Sequence, residues 1–499
     1  MKRVATRGSL PAAAPAGTFD GRRRRGRRQS LPYGPQRGEA VDRVIRSCAA
    51  VLLAVALAAA PAAGASGQAG AAFAADGALD DGGREGEGGA LPAEGAEAAT
   101  AGAAGEGVTL GELVAEAVER NPRLKAARLR WAQVIERYPQ VTAYDDPVLS
   151  YTYAVEPVET RLGPQEGIFS LSQKIPFPGK LGLKGEVVVK EVEIARTNYE
   201  KEIRDVIVEV KKTYYELFYL DRAIELTRQN KEVLEHLSTL AAADYGGDAT
   251  ALNDVLKAQS QYAQAGYDLI LLREMRSTEA TRLNTLLDRD AEHPVGAIAE
   301  PPVRDFDFTL DELYRWALES EENRAAALEV RKEELEERLA RYRYLPDFRI
   351  GLNYADIGDP VFPVGDGGRD AVAVTLGINI PIWFSKNDAA VKEAAIRRER
   401  ARQEKLAVAN ETKSRVKEAF FKLTNSERLM ELYGDSLLPQ AARSLETAEA
   451  WYKAGEGSLS GLLETQSIWF NFQLAYYRAM ADYLKSLAEL ERVTGRPLQ

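Results

Sequence analysis

The sequence predicts a mainly α-helical protein with a small β part, built from two tandem copies of one unit. Three observations support this prediction. They are an internal repeat of about 200 residues, two helical stretches far longer than those of globular domains, and four short segments in which apolar residues alternate with small or polar ones. Together they predict tandem-duplicated long helical hairpins and four strands per chain.

The N-terminal part of the chain is predicted to contain no folded domain. Residues 1–64 are interpreted as a signal peptide with an N-terminal extension, because a short apolar run, 49–60, follows Arg43 and Arg46. The alternative, a transmembrane anchor, needs about 20 apolar residues, and this run is shorter. Residues 65–107 form a linker of Ala, Gly and acidic residues that is too poor in apolar side chains to fold, so we expect disorder.

Composition excludes several classes of function. The net charge is −10 for the whole sequence and −19 for the part after residue 64, which argues against a nucleic-acid partner. The sole cysteine, Cys48, precedes the apolar run, so the mature chain has no disulfide and no thiol nucleophile. Neither histidine lies in a cluster of metal ligands, and His236 is expected on a helix surface. We therefore expect no catalytic residue, no cofactor and no metal.

The internal repeat sets the domain boundaries. TLGELVAEAVERNPRLKAARLRW (109–131) resembles TLDELYRWALESEENRAAALEVR (309–331), and DYGGDATALNDVLKAQSQY (244–262) resembles WYKAGEGSLSGLLETQSIW (451–469). The matches keep one order, so the first repeat is assigned to 108–300 and the second to 301–495.

Each repeat is expected to contain one very long helix. No proline interrupts the stretch from Leu181 to Tyr245, and Lys386 to Lys453 has a similar length. Within the first stretch apolar residues recur every seven positions, which is typical of a coiled-coil seam: Ile203, Val210, Leu217 and Ile224. A glycine-containing turn ends each long helix, and a second helix then runs back. The product is two antiparallel helical hairpins.

Two strands are expected before each long helix. Their bounds are about 148–155 and 168–175 in the first repeat, and about 348–355 and 371–380 in the second. The segments that join each pair, 156–167 and 356–370, are polar and rich in Gly and Pro. We expect exposed loops there, not tight turns.

The apolar face of these strands has two interpretations. It could be the half-buried sheet of a soluble protein, but the helices use their apolar stripes on each other and leave nothing to cover it. The strand lengths are close to the roughly 9–11 residues that cross a bilayer. Since a membrane barrel needs at least about eight strands, several chains would have to pool their strands.

The order of these motifs resembles the TolC-type outer-membrane efflux family. The likeness rests on NPRLKAAR (121–128), on IPFPGK (175–180) with its counterpart IPIWFSK (380–386), and on the two glycine turns. The IPFPGK joint is similar to the heavy-metal branch, the outer-membrane partners of cation-exporting pumps. The resemblance implies a homotrimer in the outer membrane, with a 12-stranded β-barrel continued by a periplasmic α-barrel. It also implies a passive duct that works with a periplasmic adaptor and an inner-membrane transporter of the resistance-nodulation-division type.

The resemblance also implies roles for particular residues. Adaptor contact is expected at the two tips. The pore constriction is expected just after them along the chain, with Asp254 acting as a latch and Glu464 lining the pore. The joints between strand and helix are expected at the membrane interface. The tip residues are Tyr245, Gly246, Gly247 and Asp248 in the first copy, and Tyr452, Gly455, Gly457 and Ser458 in the second; the joint residues are Pro176, Pro178, Gly179, Pro381 and Trp383.

A competing hypothesis is a secreted structural or adhesion coiled coil whose strands form a soluble head. It predicts recovery from the soluble periplasm without detergent. An enzyme acting on an envelope polymer is the weakest alternative, because no pair of acidic residues shares a pocket signature.

Overall fold

The computed structural model describes residues 108–243, 249–304, 306–362, 365 and 367–498. The predicted signal peptide and linker lie outside the described residues, and so do Tyr245, Gly246, Gly247 and Asp248 of the first tip. Their predictions stay untested.

Each half of the chain contains short helices, then two strands, then long helices, which confirms a mainly helical fold with a small β part. The first half contains α1 (Leu110–Arg120), α2 (Pro122–Ile135), α3 (Arg137–Thr142), β1 (Val148–Thr160), β2 (Gly163–Ile175), α4 (Lys180–Ala243) and α5 (Ala249–Leu286). The second half contains α6 (Leu310–Ala317), α7 (Glu321–Arg341), β3 (Phe348–Ile357), β4 (Ala371–Ile378), α8 (Phe384–Glu431), α9 (Leu438–Lys453) and α10 (Leu459–Thr494).

The short helices begin at capping residues that the sequence repeats. In α6 the Thr309 hydroxyl accepts a hydrogen bond from the Glu312 amide, and the Glu312 carboxylate accepts one from the Thr309 amide at 2.9 Å. This reciprocal pair satisfies two amides that a helix start leaves without partners. Asn121 caps α2 by accepting from the Arg123 amide at 2.8 Å, directly before Pro122 at the first helical position.

The long helices form two antiparallel hairpins. Helix α4 has 64 residues, which at 1.5 Å per residue corresponds to about 96 Å. The second rod does not repeat this length as one α-helix: a π-helical segment, Leu432–Leu437, separates α8 from α9. Pro439 follows that segment and cannot donate an intrahelical hydrogen bond, which accounts for the break that the repeat alone did not predict.

Three apolar clusters hold the helices together. The largest joins α1, α4, α5, α6, α8 and α10 through fully buried leucines: Leu113, Leu217, Leu283, Leu313, Leu423 and Leu484. A second cluster near the tips includes Leu234 of α4, Ala258 of α5 and Leu463 of α10. A third, around Leu183 and Leu335, packs α4 against α7 close to the sheet. The apolar stripes of the helices are therefore used on one another, as predicted.

The strands form one antiparallel sheet in the order β1, β2, β3, β4, so the two hairpins are joined by the pairing of β2 with β3. The outer edges of β1 and β4 have no partner strand among the described residues. The first hairpin corrects the sequence prediction, because β1 and β2 extend to Thr160 and Gly163 and leave a tight turn where 156–167 was expected to be a loop. Gly163 lies at φ +132° against the Gly358 carbonyl, where a side chain would clash.

Candidate channel surface, joints and tips

One face of the sheet is apolar and is not covered by any helix of the described residues. The strand register places apolar side chains in rows across the sheet. Those at the two edges are the most exposed, with Leu149 60% and Val374 70% accessible. The two central rows are Leu149, Leu171, Leu352 and Val374, and Tyr151, Phe169, Tyr354 and Val372. A soluble sheet would bury this face against another element.

The opposite face is polar and carries a chain of hydrogen bonds. Ser170 of β2 donates to the Asn353 side-chain oxygen at 2.6 Å, and the Asn353 amide donates to the Thr375 hydroxyl of β4 at 2.7 Å. The small side chains Ser150, Ser172 and Ala373 lie on the same face. A sheet that is apolar on one side and polar on the other has the alternation of an outer-membrane barrel strand.

The first joint between strand and helix is rigid for identifiable reasons. Pro176 is buried, Pro178 is exposed, and neither can donate to a strand ladder. Gly179 has φ +87°, and a side chain there would come within 3.1 Å of the Tyr342 hydroxyl. The backbone therefore turns from β2 into α4 at a position that favours glycine.

A buried aspartate that the sequence reasoning missed ties the two joints together. Asp347, directly before β3, accepts hydrogen bonds from the Phe177 amide at 3.1 Å and from the Lys180 ammonium at 3.0 Å. Its backbone carbonyl accepts from the Asn379 amide at 3.1 Å. A signal was available, since Asp145, Asp146 and Asp347 all stand just before the first strand of their repeat.

The pKa of Asp347 reflects this setting. Burial alone would raise the pKa, but the hydrogen bonds from Lys180 and the Phe177 amide and the charges of Lys180 and Lys174 outweigh it. The pKa of the carboxyl group is therefore held below its usual value, and Asp347 is ionised in the folded protein.

The second joint is more open. β4 ends at Ile378, not at residue 380 as predicted, because its partner strand β3 begins at Phe348, which pairs with Ile378. Pro381 has no amide hydrogen and cannot extend the ladder. Beyond the end of β4, four apolar side chains are all more than half exposed: Ile380, Ile382, Trp383 and Phe384. Exposed aromatic residues at this level are typical of a membrane–water interface.

The second tip is a tight turn between α9 and α10. The Trp451 carbonyl accepts from the Glu456 amide at 3.0 Å and from the Gly457 amide at 3.1 Å. Gly455 has φ +77°, and a side chain on Gly457 would press against the backbone of Trp451 and Tyr452 at 3.1–3.2 Å. The Ser458 hydroxyl then caps α10 by accepting from the Gly461 amide. Both glycines are thus required by the turn, and that requirement alone accounts for them.

The two acids predicted to form the constriction lie on the helices that leave the tips. Asp254 of α5 is half-buried and Glu464 of α10 is exposed. Within the chain, neither carboxylate forms an ion pair or hydrogen bond with another described residue. A polar contact between these helices is made by the Lys257 ammonium, which donates to the Ser460 hydroxyl at 2.6 Å, a pair that sequence reasoning did not find.

No described helix has both the length and the apolar composition needed to span a membrane. No group of three or more His, Cys, Asp or Glu in the described ranges is placed to hold a metal ion.

The model of the family described as "Outer membrane efflux protein" matches residues 113–289 and 314–496, once in each half and over more than half of the chain. The chain belongs to the outer membrane efflux protein family. The predicted family, function and location are thereby confirmed: this is a channel protein of the outer membrane, and a secreted adhesion coiled coil is not supported.

Solved structures share the fold of this efflux protein. The CmeC outer membrane channel of Campylobacter jejuni is 15% identical with a TM-score of 0.66, over 77% of this chain and 85% of that one. VceC of Vibrio cholerae is 16% identical with a TM-score of 0.66, over 78% and 97%. CusC is 13% identical with a TM-score of 0.65, over 78% and 92%. At these low sequence identities the comparisons show a shared fold and do not distinguish between branches of the family. Membership of the heavy-metal branch stays a prediction. A comparison with curated proteins found no match.

Proposed function

We propose that three copies of this efflux protein close a 12-stranded barrel in the outer membrane and a helical tube beneath it, forming a passive duct without catalysis. The observation that supports this best is the open four-stranded sheet with an uncovered apolar face. Lipid excludes unpaired strand edges, and four strands are too few to close alone. Pairing β4 of one copy with β1 of the next removes every edge.

Membrane fractionation followed by gel electrophoresis with and without boiling tests this proposal. The protein is expected in the outer-membrane fraction and in a heat-modifiable trimer band, because closed β-barrels resist detergent until heated. Recovery in the soluble periplasm, or a monomer band before boiling, would contradict the trimeric duct.

The duct is proposed to receive solutes from a periplasmic adaptor and an inner-membrane transporter of the resistance-nodulation-division type. Support comes from family membership and from the position of the exposed turn at Gly455, at the end of the second helical hairpin. The proposed docking surface is the pair of tips. Gly455→Val, which disfavours φ > 0, is expected to reduce co-purification of the adaptor from cross-linked membranes while the trimer band remains. Undiminished co-purification would place docking elsewhere.

The aperture is proposed to lie beside the tips, with Glu464 lining the pore and Asp254 acting as a latch. Glu464 is supported by its exposure on α10 one turn after the tip, and three copies of one acid around a pore favour cations. Glu464→Gln is expected to lower the cation preference of single-channel currents in planar bilayers. Glu464→Asp, which keeps the charge, serves as the control. Unchanged selectivity in both variants would mean that the acidic ring lies at another level.

A further inference from the structure

Two cationic side chains lie together where the sheet adjoins the helices. Lys174 of β2 and Arg349 of β3 are direct partners in the antiparallel register, and Gly377 of β4 is the next residue in the row. Side chains alternate between faces along a strand, so Lys174 and Arg349 share the polar face with Ser170 and Asn353.

The two cations are not balanced alike. The Lys174 ammonium lies 3.3 Å from an Asp145 carboxylate oxygen and 3.7 Å from one of Asp347. Arg349 is exposed and forms no ion pair or hydrogen bond with another described residue. Like charges on direct cross-strand partners destabilise a sheet, so the pairing of Lys174 with Arg349 is unfavourable for the stability of this sheet. Such exceptions are expected mainly at functional sites.

No acid on the same face offsets Arg349. In the paired ladder of the described strands, 148–153, 167–175, 348–356 and 371–378, the ionisable side chains on the polar face are Lys174 and Arg349. Asp146 precedes β1 and forms no hydrogen bond or ion pair with Arg349. Gly377 of β4 has no side chain that could cover Arg349. A Cβ at this position would lie 3.5 Å from the Arg349 Cβ, so any side chain here would contact Arg349.

Resting on the trimeric duct proposed above, we propose that Arg349, beside the ion-paired Lys174, forms a cationic ring in the lumen where the barrel meets the helical tube. Rings of Arg and Lys select anions by their field. A guanidinium also matches carboxylate and phosphate oxygens in a two-point geometry. The ring therefore enriches anionic solutes at this level and disfavours free metal cations as cargo. Its sign is opposite to that of the proposed Glu464 aperture at the far end of the tube.

The test is the zero-current potential of the purified full-length protein in planar bilayers under a KCl gradient. Arg349→Gln is expected to lower the chloride-to-potassium permeability ratio by roughly six- to thirtyfold, because one unit charge about 4–8 Å away in water changes the local concentration of chloride and of potassium by about two- to sixfold each, in opposite directions. Arg349→Glu should shift it further in the same direction, and Arg349→Lys should preserve it. At 1 M salt, where the Debye length is about 3 Å, the difference should vanish.

Two results would overturn the ring. One is an unchanged permeability ratio at low salt in Arg349→Gln and Arg349→Glu channels that conduct normally. The other is an unchanged permeability ratio in both Arg349→Gln and Asp146→Asn, together with a lower temperature at which the trimer dissociates on heating. That result would assign Arg349 to an ion pair with Asp146 between protomers. Absence of channels from the wild-type protein would count against the duct itself and not specifically against the ring.

Discussion

Val374→Arg is expected to prevent this protein from assembling in the outer membrane, whereas Ala373→Arg, one residue earlier on the same strand, is expected to leave assembly intact. Val374 lies on the apolar face of β4 and is 70% exposed, while Ala373 lies on the polar face. An arginine facing lipid near the bilayer centre costs roughly 2–4 kcal/mol in each copy. An arginine facing a water-filled lumen keeps its hydration.

The measurement is the amount of heat-modifiable trimer in outer-membrane fractions, with total protein as reference. Because the two variants add the same side chain to neighbouring positions, they share effects on expression and strand propensity. Equal loss in both would indicate that β4 tolerates no arginine and would remove the evidence for a lipid face. Equal survival would favour a sheet that is in water on both sides.

The sheet shows what the sequence could and could not predict. Alternation from Ala371 to Ile378 identified the strand and its two faces, because side-chain direction in a strand follows residue parity alone. The loop predicted at 156–167 is wrong in detail, because β1 continues through Pro157 to Thr160 and β2 begins at Gly163. Pro157 lies where the pairing register shifts, between Tyr153 and Val158, so no ladder hydrogen bond is lost there.

The helices also have one part that the sequence predicts and one part that it does not. Heptad spacing predicted α4 almost to the residue, because a long helix is specified by repeated local contacts. The π-helical segment at Leu432–Leu437 depends on how Pro439 and Gly434 are accommodated, and Gly434 lies within reach of the Tyr476 ring of α10. Such contacts between distant segments leave no periodic signal in the sequence.

The candidate site was predicted only where a motif was local. The joint residues Pro176 and Gly179 stand three positions apart in the sequence, and their conformations follow from their own covalent structure. Asp347 acts on residues about 170 positions earlier, and the Lys257 to Ser460 pair spans about 200 positions. Neither pairing has a sequence period, so only the folded arrangement reveals it.

Asp347→Ala is expected to lower the stability of the junction by about 3 kcal/mol, because it leaves the buried end of Lys180 and the Phe177 amide without their acceptor. The effect should appear as a lower temperature of trimer dissociation on gels. Asp145→Asn is the matched control: its carboxylate is 62% exposed and pairs with Lys174, and exposed pairs contribute about 1 kcal/mol or less. Equal effects of the two variants would show that the tie at Asp347 does not stabilise the joint.

Acidification provides an independent check on the same carboxylate. Since the pKa of Asp347 is lower in the folded than in the unfolded chain, its stabilising contribution is complete above the unfolded value, about pH 4, and is lost as the pH falls through the folded value. The dissociation temperature of the wild-type trimer should therefore fall more steeply below about pH 4 than that of Asp347→Asn, which has no charge to lose there. Parallel curves for the two proteins would mean that the ionised form of Asp347 gives the junction no extra stability, and that the contact with Lys180 acts through shape alone.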